Sequence, residues 1–318
     1  LRLRWLGETL NVAPRQPVYL GGRVELFRLG RIGEKVYYLD FTSLYPSMMV
    51  NDLPYGEPYE AKFDEEVLPD QFFGFVRCLV QSTESGMNRL PLHGEKIDGK
   101  LQFRHLTQPR EMVLFTEEIR LGLKEELYTY KFIDGLGFKR GKHLKPMVEK
   151  LFKMKADAKK NGQDALASVM KIVLNSLYGF WGTRIKDREG LEIYRSDGDV
   201  PFFDRLNKQQ LVGLTEHERY TVMRVEKDLP IDDINVSIAA ATTSYSRSRI
   251  WMLMDAIKQR GSDVFMCDTD SVITNCDLSK HNELLNKFIP DWESDDPGAD
   301  LGSLKCECTD EVKKALKS

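Results

Sequence analysis

The sequence lacks several features that would place it in a common structural class. None of its apolar runs reaches the roughly 18 residues needed to span a bilayer, and it has no signal-peptide pattern, so a soluble protein is expected. Cysteine is scarce: five scattered residues in 318, an odd number that argues against a disulfide framework. Cys306 and Cys308 are too closely spaced for an ordinary zinc knuckle.

A positive net charge is also missing. The formal charge of −3 does not indicate a nucleic-acid-binding protein, but it averages two segments of opposite sign. Residues 139–160 contain nine Lys or Arg side chains and only two acidic ones, whereas residues 283–300 are strongly acidic. A basic run is often only a solvated helix face. Beside a cluster of carboxylates, however, it is also what a nucleoside triphosphate requires.

Residues 264–273 have the pattern of a tight β-hairpin with two carboxylates at its tip. Strand-forming residues lead into Asp268-Thr269-Asp270-Ser271, after which apolar residues resume. If the tip is extended, Asp268 and Asp270 project to one side and Thr269 to the other. Two close carboxylates repel each other unless a cation neutralises them, and oxygen-rich clusters suit magnesium. A solvated, Asp-rich turn is the alternative interpretation.

Two further stretches carry chemically useful side chains. Asp40 ends a predicted strand over residues 36–39 and begins a turn into a probable helix. A carboxylate in that place suits a metal ligand, with helix capping as the alternative. In a later predicted helix, Lys171, Asn175 and Tyr178 recur at helical spacing, which places a cation, an amide and a phenol on one face.

The remaining pattern predicts helices separated by irregular segments. Thr116 is expected to start a helix with Ile119, Leu123 and Leu127 on its buried stripe. Short strands and loops are predicted over 54–108, including strands at 73–80 and 100–103, and the glycines over 135–141 are expected to interrupt regular structure. A helix is predicted from 144 to Asn161-Gly162, followed by a second helix with Asp164 as its N-cap. A turn-rich insertion over 183–230 and a helix over 236–258 complete the prediction.

Taken in order, the stretches 40–47, 171–179 and 268–271 resemble motifs A, B and C of the family B DNA polymerases. Tyr19-x-Gly21-Gly22, the segment 53–58 and the insertion before the last motif look like the protein-primed subgroup of phages, linear plasmids and adenoviruses, or a related primer-independent subgroup. A reverse transcriptase is disfavoured because the last motif is Asp-Thr-Asp-Ser rather than Tyr-x-Asp-Asp.

The resemblance implies an α+β fold: a polymerase palm with an antiparallel sheet backed by helices, plus a helical-hairpin fingers subdomain. Exonuclease and thumb domains are absent from the pattern, and the first residue is Leu, so a palm-plus-fingers fragment is expected. The implied segments are 1–62 (palm with motif A), 63–138 (palm continuation and subgroup insertion), 139–182 (fingers), 183–232 (insertion) and 233–318 (palm with motif C).

The same resemblance assigns roles to individual residues. Catalysis is expected of Asp40, Asp268, Asp270 and Lys171, and metal binding of the three aspartates with the Phe41 carbonyl. Nucleotide binding is expected of Ser43, Leu44, Tyr45, Lys155, Lys159, Lys171, Asn175 and Tyr178. Tyr45 would exclude a 2′-hydroxyl, the group that distinguishes RNA from DNA. Contacts to DNA are expected of Tyr19, Gly21, Gly22, Ser43, Gly179, Thr269 and Ser271.

The implied cofactor is a pair of Mg²⁺ ions, for which Mn²⁺ can substitute. The implied partners are template-primer DNA and dNTPs, with a terminal protein as an alternative primer and no membrane. A soluble intracellular protein, encoded by a phage or plasmid in the host cytoplasm or by a mitochondrial linear plasmid, is expected. A non-catalytic palm–fingers scaffold that binds DNA or a replication partner is the alternative function.

Overall fold

The computed structural model of the protein describes residues 19–64, 67–182, 189–195, 211–218, 220–226, 235–277 and 300–306. Contacts divide the chain into two compact units, and each is described by itself. The larger unit comprises Leu1–Trp181 with Asn235–Ser318, and the smaller comprises Gly182–Ile234. The acidic run over 283–299 and Cys308 lie outside the described residues.

The described residues form strands and helices in a mixed order along the chain. In order they are β1 (Val24–Leu26), β2 (Tyr37–Phe41), α1 (Leu44–Met48), β3 (Leu53–Lys62), β4 (Gly74–Ser82), α2 (Glu84–Met87), β5 (Gly94–Ile97), β6 (Lys100–Phe103), β7 (Arg110–Phe115), α3 (Thr116–Lys124), β8 (Tyr128–Gly141), α4 (Lys145–Lys160), α5 (Asp164–Trp181), β9 (Glu189–Arg195), β10 (Leu211–Glu216), β11 (Tyr220–Glu226), α6 (Val236–Gln259), β12 (Val264–Asp268), β13 (Ser271–Thr274) and β14 (Leu304–Cys306).

A five-stranded antiparallel sheet with the order β1-β12-β13-β2-β14 positions the acidic residues. Strand β2 alternates between the two faces of this sheet: Leu39 and Phe41 are buried, whereas Asp40 between them is half-buried. The buried face packs against α6, where Ile250 and Leu253 join Leu39 in one apolar cluster. The alternation therefore directs Asp40 away from the core, and the predicted hairpin at 264–273 is confirmed as β12 and β13.

The helix predicted over residues 236–258 is confirmed as α6, which ends one residue later. The Asn235 side chain caps it by accepting a hydrogen bond from the Ser237 N–H at 3.2 Å. Among the helices of the described residues, none is long and apolar enough to cross a bilayer.

A second antiparallel sheet, with the order β3-β8-β4-β7, corrects the sequence interpretation of residues 54–141. The strands predicted at 73–80 and 100–103 are confirmed as β4 and β6. The segment from residue 54, expected to form short strands and loops, begins with the ten-residue strand β3. Its Pro54 and Pro58 are tolerated because β3 lies at the edge of this sheet. The prediction that residues 135–141 interrupt regular structure was also wrong, because these residues belong to strand β8.

Close packing explains why glycine occurs inside β8. An added Cβ at Gly137 would lie 2.3 Å from the Tyr59 ring, and one at Gly135 would lie 2.8 Å from the Phe75 carbonyl oxygen. These glycines therefore admit neighbouring groups rather than end the strand.

Helix α3 starts at Thr116 as predicted, but its buried stripe differs. The helix ends at Lys124, so Leu127 lies beyond it, and Leu123 is 45% exposed. The buried face instead contains Glu118, Ile119 and Gly122.

Helices α4 and α5 form the predicted helical hairpin. The turn between them contains Gly162 at φ +68°, a left-handed conformation that favours glycine. Asp164 is the first residue of α5 rather than its N-cap, a displacement of one residue.

The smaller unit contains a three-stranded antiparallel sheet with the order β10-β11-β9. Its strands were missed in the turn-rich reading of residues 183–230, because charged residues interrupt their apolar positions. Arg224, for example, lies within β11 opposite Leu191 of β9. Pairing with neighbouring strands, which the local sequence does not reveal, decides the structure of such segments.

Candidate active site

Motifs A and C lie side by side, because strand β2 of motif A pairs with strand β13 of the hairpin that carries motif C. Ser271 on β13 faces Asp40 on β2, and the Phe41 N–H donates a hydrogen bond to the Asp270 carbonyl oxygen at 2.9 Å. Asp40 and Asp270, separated by 230 positions in the chain, consequently line the same cleft. The resemblance to motifs A and C had implied that these two carboxylates hold the same metal ions.

The hairpin tip is not extended, which corrects the expected arrangement of its side chains. Thr269 has φ 57°, in the left-handed region, and the Asp270 N–H donates to the Asp268 carbonyl oxygen at 2.6 Å. The Ser271 hydroxyl also donates to that carbonyl, at 3.1 Å. The tight turn breaks the alternation, so Asp268 is exposed and lies outside the described cleft lining, whereas Asp270 is half-buried and lies within it.

The electrostatics of this centre favour a bound cation. Partial burial, with the nearby Asp40 and Asp268 carboxylates, raises the pKa of Asp270 to about 6. On the opposite side, the Lys305 ammonium lies 3.3 Å from Asp40 Oδ2. A positive charge near these carboxylates relieves their mutual repulsion, and Lys305 supplies one such charge from the protein itself.

The carboxylates of this centre suit a metal ion that takes some of its ligands from a bound phosphate compound. Within the described ranges, no three His, Cys, Asp or Glu side chains form a closed metal-binding group. Two hard carboxylates with open space beside them suit Mg²⁺, which keeps several waters and accepts phosphate oxygens, better than an all-protein cage. Asp40, Phe41 and Asp270 all line that open space.

A large basic cleft opens in front of the two carboxylates. Its volume is about 1220 Å³, and its described lining includes five lysines together with Ser43 and Asn175. The lysines are Lys155, Lys159, Lys160, Lys171 and Lys305. Helices α4 and α5 of the hairpin supply four of them, so Lys159 and Lys171 line the same cleft.

The lysines are close enough to influence one another. Partial burial lowers the pKa of Lys155, and the neighbouring Lys171, Lys159 and Lys305 lower it further. Lys155 also donates to the Ser43 hydroxyl at 3.4 Å. Such a concentration of positive charge is costly in isolation and favours a polyanionic ligand.

An aromatic cluster forms next to the acidic centre. The rings of Tyr45 and Tyr178 stack with centroids 4.1 Å apart and an angle of 28°. Burial raises the pKa of the Tyr45 phenol, and proximity to Tyr178 raises it further. Burial and Tyr178 also raise the pKa of Tyr19, which places all three tyrosines together.

Glycine is required beside this cluster for steric reasons. A Cβ added at Gly22 would lie 2.6 Å from the Tyr45 hydroxyl and 3.0 Å from Thr269. The segment Tyr19–Gly22 therefore lies against both motif A and the hairpin tip.

Other predicted site residues occupy varied positions. The Leu44 side chain is 1% exposed and packs in the core, so a ligand reaches only its backbone. The Ser271 hydroxyl is occupied within the hairpin turn. Gly21 is exposed, and Gly179 is half-buried near the end of α5.

Sequence reasoning missed a buried ion-pair network beneath the site. Arg247 of α6 donates to the carbonyl oxygens of Leu20 and Gly21 at 3.1 Å each, and to Glu118 Oε2 at 3.1 Å. The other Glu118 oxygen lies 3.0 Å from His93 Nδ1. Arg247 and Glu118 are 129 positions apart, and no local pattern pairs them. The position of Glu118 in the first turn of α3 indicates by itself only a favourable charge at a helix N-terminus.

Comparison with known proteins gives one consistent result. The sequence model of the family described as DNA polymerase type B, organellar and viral, matches residues 16–258. A probable DNA polymerase of Podospora anserina is 26% identical over 289 residues, which cover 82% of this chain and 23% of that protein. The DNA polymerase of Bacillus phage phi29 is 25% identical over 264 residues, or 80% of this chain and 41% of that protein.

A solved structure shares the fold. The phi29 DNA polymerase, in a ternary complex with primer-template DNA and incoming nucleotide substrates, aligns with a TM-score of 0.58 at 23% identity. The alignment covers 91% of this chain and 46% of that structure. The α+β architecture of antiparallel sheets and helices is therefore shared, and the chain spans less than half the length of these relatives.

Proposed function

The chain belongs to the organellar and viral type B family of DNA polymerases, and we propose that it provides the nucleotidyl-transfer centre of a template-directed DNA polymerase. The observation that carries this proposal is the placement of Asp40 on β2 beside Asp270, in the turn just before the paired strand β13, in the lining of a cleft that also contains five lysines. Carboxylates for a hard cation and ammonium groups for phosphates are the two requirements of phosphoryl chemistry on a nucleoside triphosphate.

In the proposed reaction, the primer 3′-hydroxyl gives its proton to solvent water and its oxygen bonds to the α-phosphorus of a dNTP. The bond from that phosphorus to the β-phosphate bridging oxygen breaks, and pyrophosphate leaves with the bonding electrons. Two Mg²⁺ ions, or Mn²⁺ in their place, would supply stabilisation of the attacking and leaving oxygens when bound. Asp40 and Asp270 would hold them, with the Phe41 carbonyl and Asp268 in support.

The protein's own contribution is positioning and charge neutralisation. Lys155, Lys159 and Lys171 would bind the triphosphate, with Ser43 and the Leu44 backbone beside them. Asn175 and the stacked Tyr45–Tyr178 pair would border the nascent base pair. Gly179, Thr269 and the Tyr19–Gly22 segment, adjacent to motif A, would contact the DNA. Ser271 is buried and its hydroxyl is engaged in the hairpin turn, so the DNA contact expected of it is not part of this proposal.

Template-primer DNA and dNTPs are the proposed partners, and the ternary complex of the similar phi29 enzyme supports both. A terminal protein as primer, an intracellular location, and the segment boundaries at 62, 138, 182 and 232 are part of the same proposal. A non-catalytic scaffold would not need both Asp40 and Asp270, and both carboxylates are present in the cleft lining.

The direct test is extension of a labelled primer on a template by the complete protein that the gene encodes, with Mg²⁺ and dNTPs. Template-dependent addition is the expected result. DNA binding without any addition, by a folded protein under both Mg²⁺ and Mn²⁺, would favour the scaffold instead.

Lys171→Ala is expected to weaken nucleotide use about 10- to 150-fold, since a hydrogen bond to a charged group is worth roughly 1.5–3 kcal/mol. Affinity for template-primer DNA should change little. The measurements are the nucleotide dependence of single-turnover addition and DNA affinity across a salt series. Lys153→Ala removes an exposed charge from the same hairpin outside the described cleft lining and serves as the matched control.

A lysine that contacted only the DNA backbone would behave differently: Lys171→Ala would weaken DNA binding and reduce the salt slope by about one, with normal nucleotide kinetics. That result would reassign this face of α5 from nucleotide binding to DNA binding.

Tyr45→Val is expected to increase ribonucleotide incorporation relative to deoxynucleotide incorporation, because the ring would otherwise occupy the volume of a 2′-hydroxyl. Tyr45→Phe keeps the ring and should retain discrimination. The assay compares rNTP and dNTP addition at one template position. If Tyr45→Val leaves the ratio unchanged, Tyr45 acts only through its packing on Tyr178 and Gly22.

A further inference from the structure

Lys305 occupies a position in the site that the motif pattern did not reveal. It lies on β14, directly opposite Asp40 on β2, at the edge of the five-stranded sheet. Side chains of directly paired residues project to the same face of a sheet. The strand register therefore fixes the Lys305 ammonium on the cleft face, and its distance of 3.3 Å from Asp40 Oδ2 follows from that register.

The pair is more constrained than an ordinary surface ion pair. The Asp40 side chain is only 19% exposed and the Lys305 side chain 35% exposed. Asp40 also lies beside Asp270, so the ammonium compensates a carboxylate pair rather than one acid. Lys305 lines the same cleft as the lysines of α4 and α5, which places it within the surface that a triphosphate would contact.

We propose that Lys305 is a built-in counter-cation of Asp40, which releases this carboxylate when a divalent cation arrives with the nucleotide and then faces the nucleotide's phosphates. This inference rests on the proposed function. A monovalent ammonium and a divalent cation compete for the same carboxylate oxygens, so Lys305 weakens metal binding in the nucleotide-free protein. A bound triphosphate attracts the ammonium away, so the nucleotide relieves that competition.

The consequence is coupling between metal and nucleotide. Because coupling free energies are reciprocal, a nucleotide that strengthens metal binding is itself bound more strongly when metal is present. Lys305 would thereby discourage occupation of the acidic centre by a metal ion without substrate.

The test measures Mn²⁺ binding by electron paramagnetic resonance, with and without dATP, and needs no turnover. Without nucleotide, K305M should bind Mn²⁺ roughly 3- to 10-fold more tightly than the parent, since a competing partly exposed charge is removed. The ratio of the Mn²⁺ dissociation constants without and with dATP should fall correspondingly. K305R keeps the charge and should behave like the parent.

Lys160→Met is the matched control, because it removes one positive charge from the lining of the same cleft, on α4, outside the Asp40 pair. It should change Mn²⁺ affinity by less than about 2-fold. Equal Mn²⁺ affinity of the parent and K305M would overturn the role of Lys305 while leaving the proposed function intact. An absence of Mn²⁺ binding in all four proteins, with dATP present, would overturn this inference and the metal-dependent function together.

Discussion

Asp40→Asn and Asp270→Asn are each expected to abolish primer extension, with a loss of more than about 1000-fold, because each removes a charged oxygen ligand at the point where negative charge develops. The fold should persist in both variants. Asparagine matches aspartate in shape, and both partners of the Asp40–Lys305 pair keep contact with solvent, so loss of the pair should not prevent folding. Extension rates and thermal unfolding of each purified variant are the measurements.

Asp164→Asn is the control for this prediction, since it removes a carboxylate from the helical-hairpin side of the same cleft. It should retain most activity. Asp268→Asn should have an intermediate effect, because Asp268 is exposed and lies outside the described cleft lining. Substantial extension by Asp40→Asn or Asp270→Asn, with Mg²⁺ or Mn²⁺, would contradict the assignment of the acidic centre.

Glu118→Gln is expected to lower the free energy of unfolding by about 3 kcal/mol at neutral pH, because it leaves Arg247 buried without its counter-charge. Arg247 and Glu118 are only 4% and 2% exposed, so water cannot replace the lost partner. The measurement is urea unfolding of parent and variant. Since Arg247 also holds the carbonyls of Leu20 and Gly21, nucleotide addition should decline along with stability.

Glu117→Gln is the matched control at the neighbouring position. Glu117 pairs with Arg120 across one turn of α3 at a partly exposed site, and such pairs contribute roughly 0–1 kcal/mol. If Glu118→Gln is no more destabilising than Glu117→Gln, the buried network does not support the fold.

The difference in unfolding free energy between the parent and Glu118→Gln is expected to depend on pH. Burial alone would raise the pKa of Glu118, but the charge of Arg247 and the hydrogen bond from His93 outweigh it and lower the pKa to about 2. A lowered carboxyl pKa stabilises the fold above the unfolded value of about 4.5 and loses this effect as the pH falls towards 2. The stability gap between the parent and Glu118→Gln should therefore narrow below about pH 4.5.

Local pattern was enough to predict the elements that carry the motifs. Helix α6, the hairpin of β12 and β13, and the turn at Gly162 depend on periodicity and turn chemistry within a few residues, and all three were confirmed. The sheet at residues 53–141 was less predictable, because its strands are decided by partners far away in the sequence. Pro54 and Pro58 in β3 are acceptable only because that strand is an edge.

The sequence by itself determined the family and the order of the three motifs, since those depend on residue type and spacing. The tertiary structure alone decided which charges meet. Thr269 adopts a left-handed backbone that separates Asp268 from Asp270, and Arg247 reaches Glu118 across 129 positions. Lys305 faces Asp40 because β14 pairs with β2. Ion pairs depend on distance in space, and strand register, rather than separation along the chain, sets that distance.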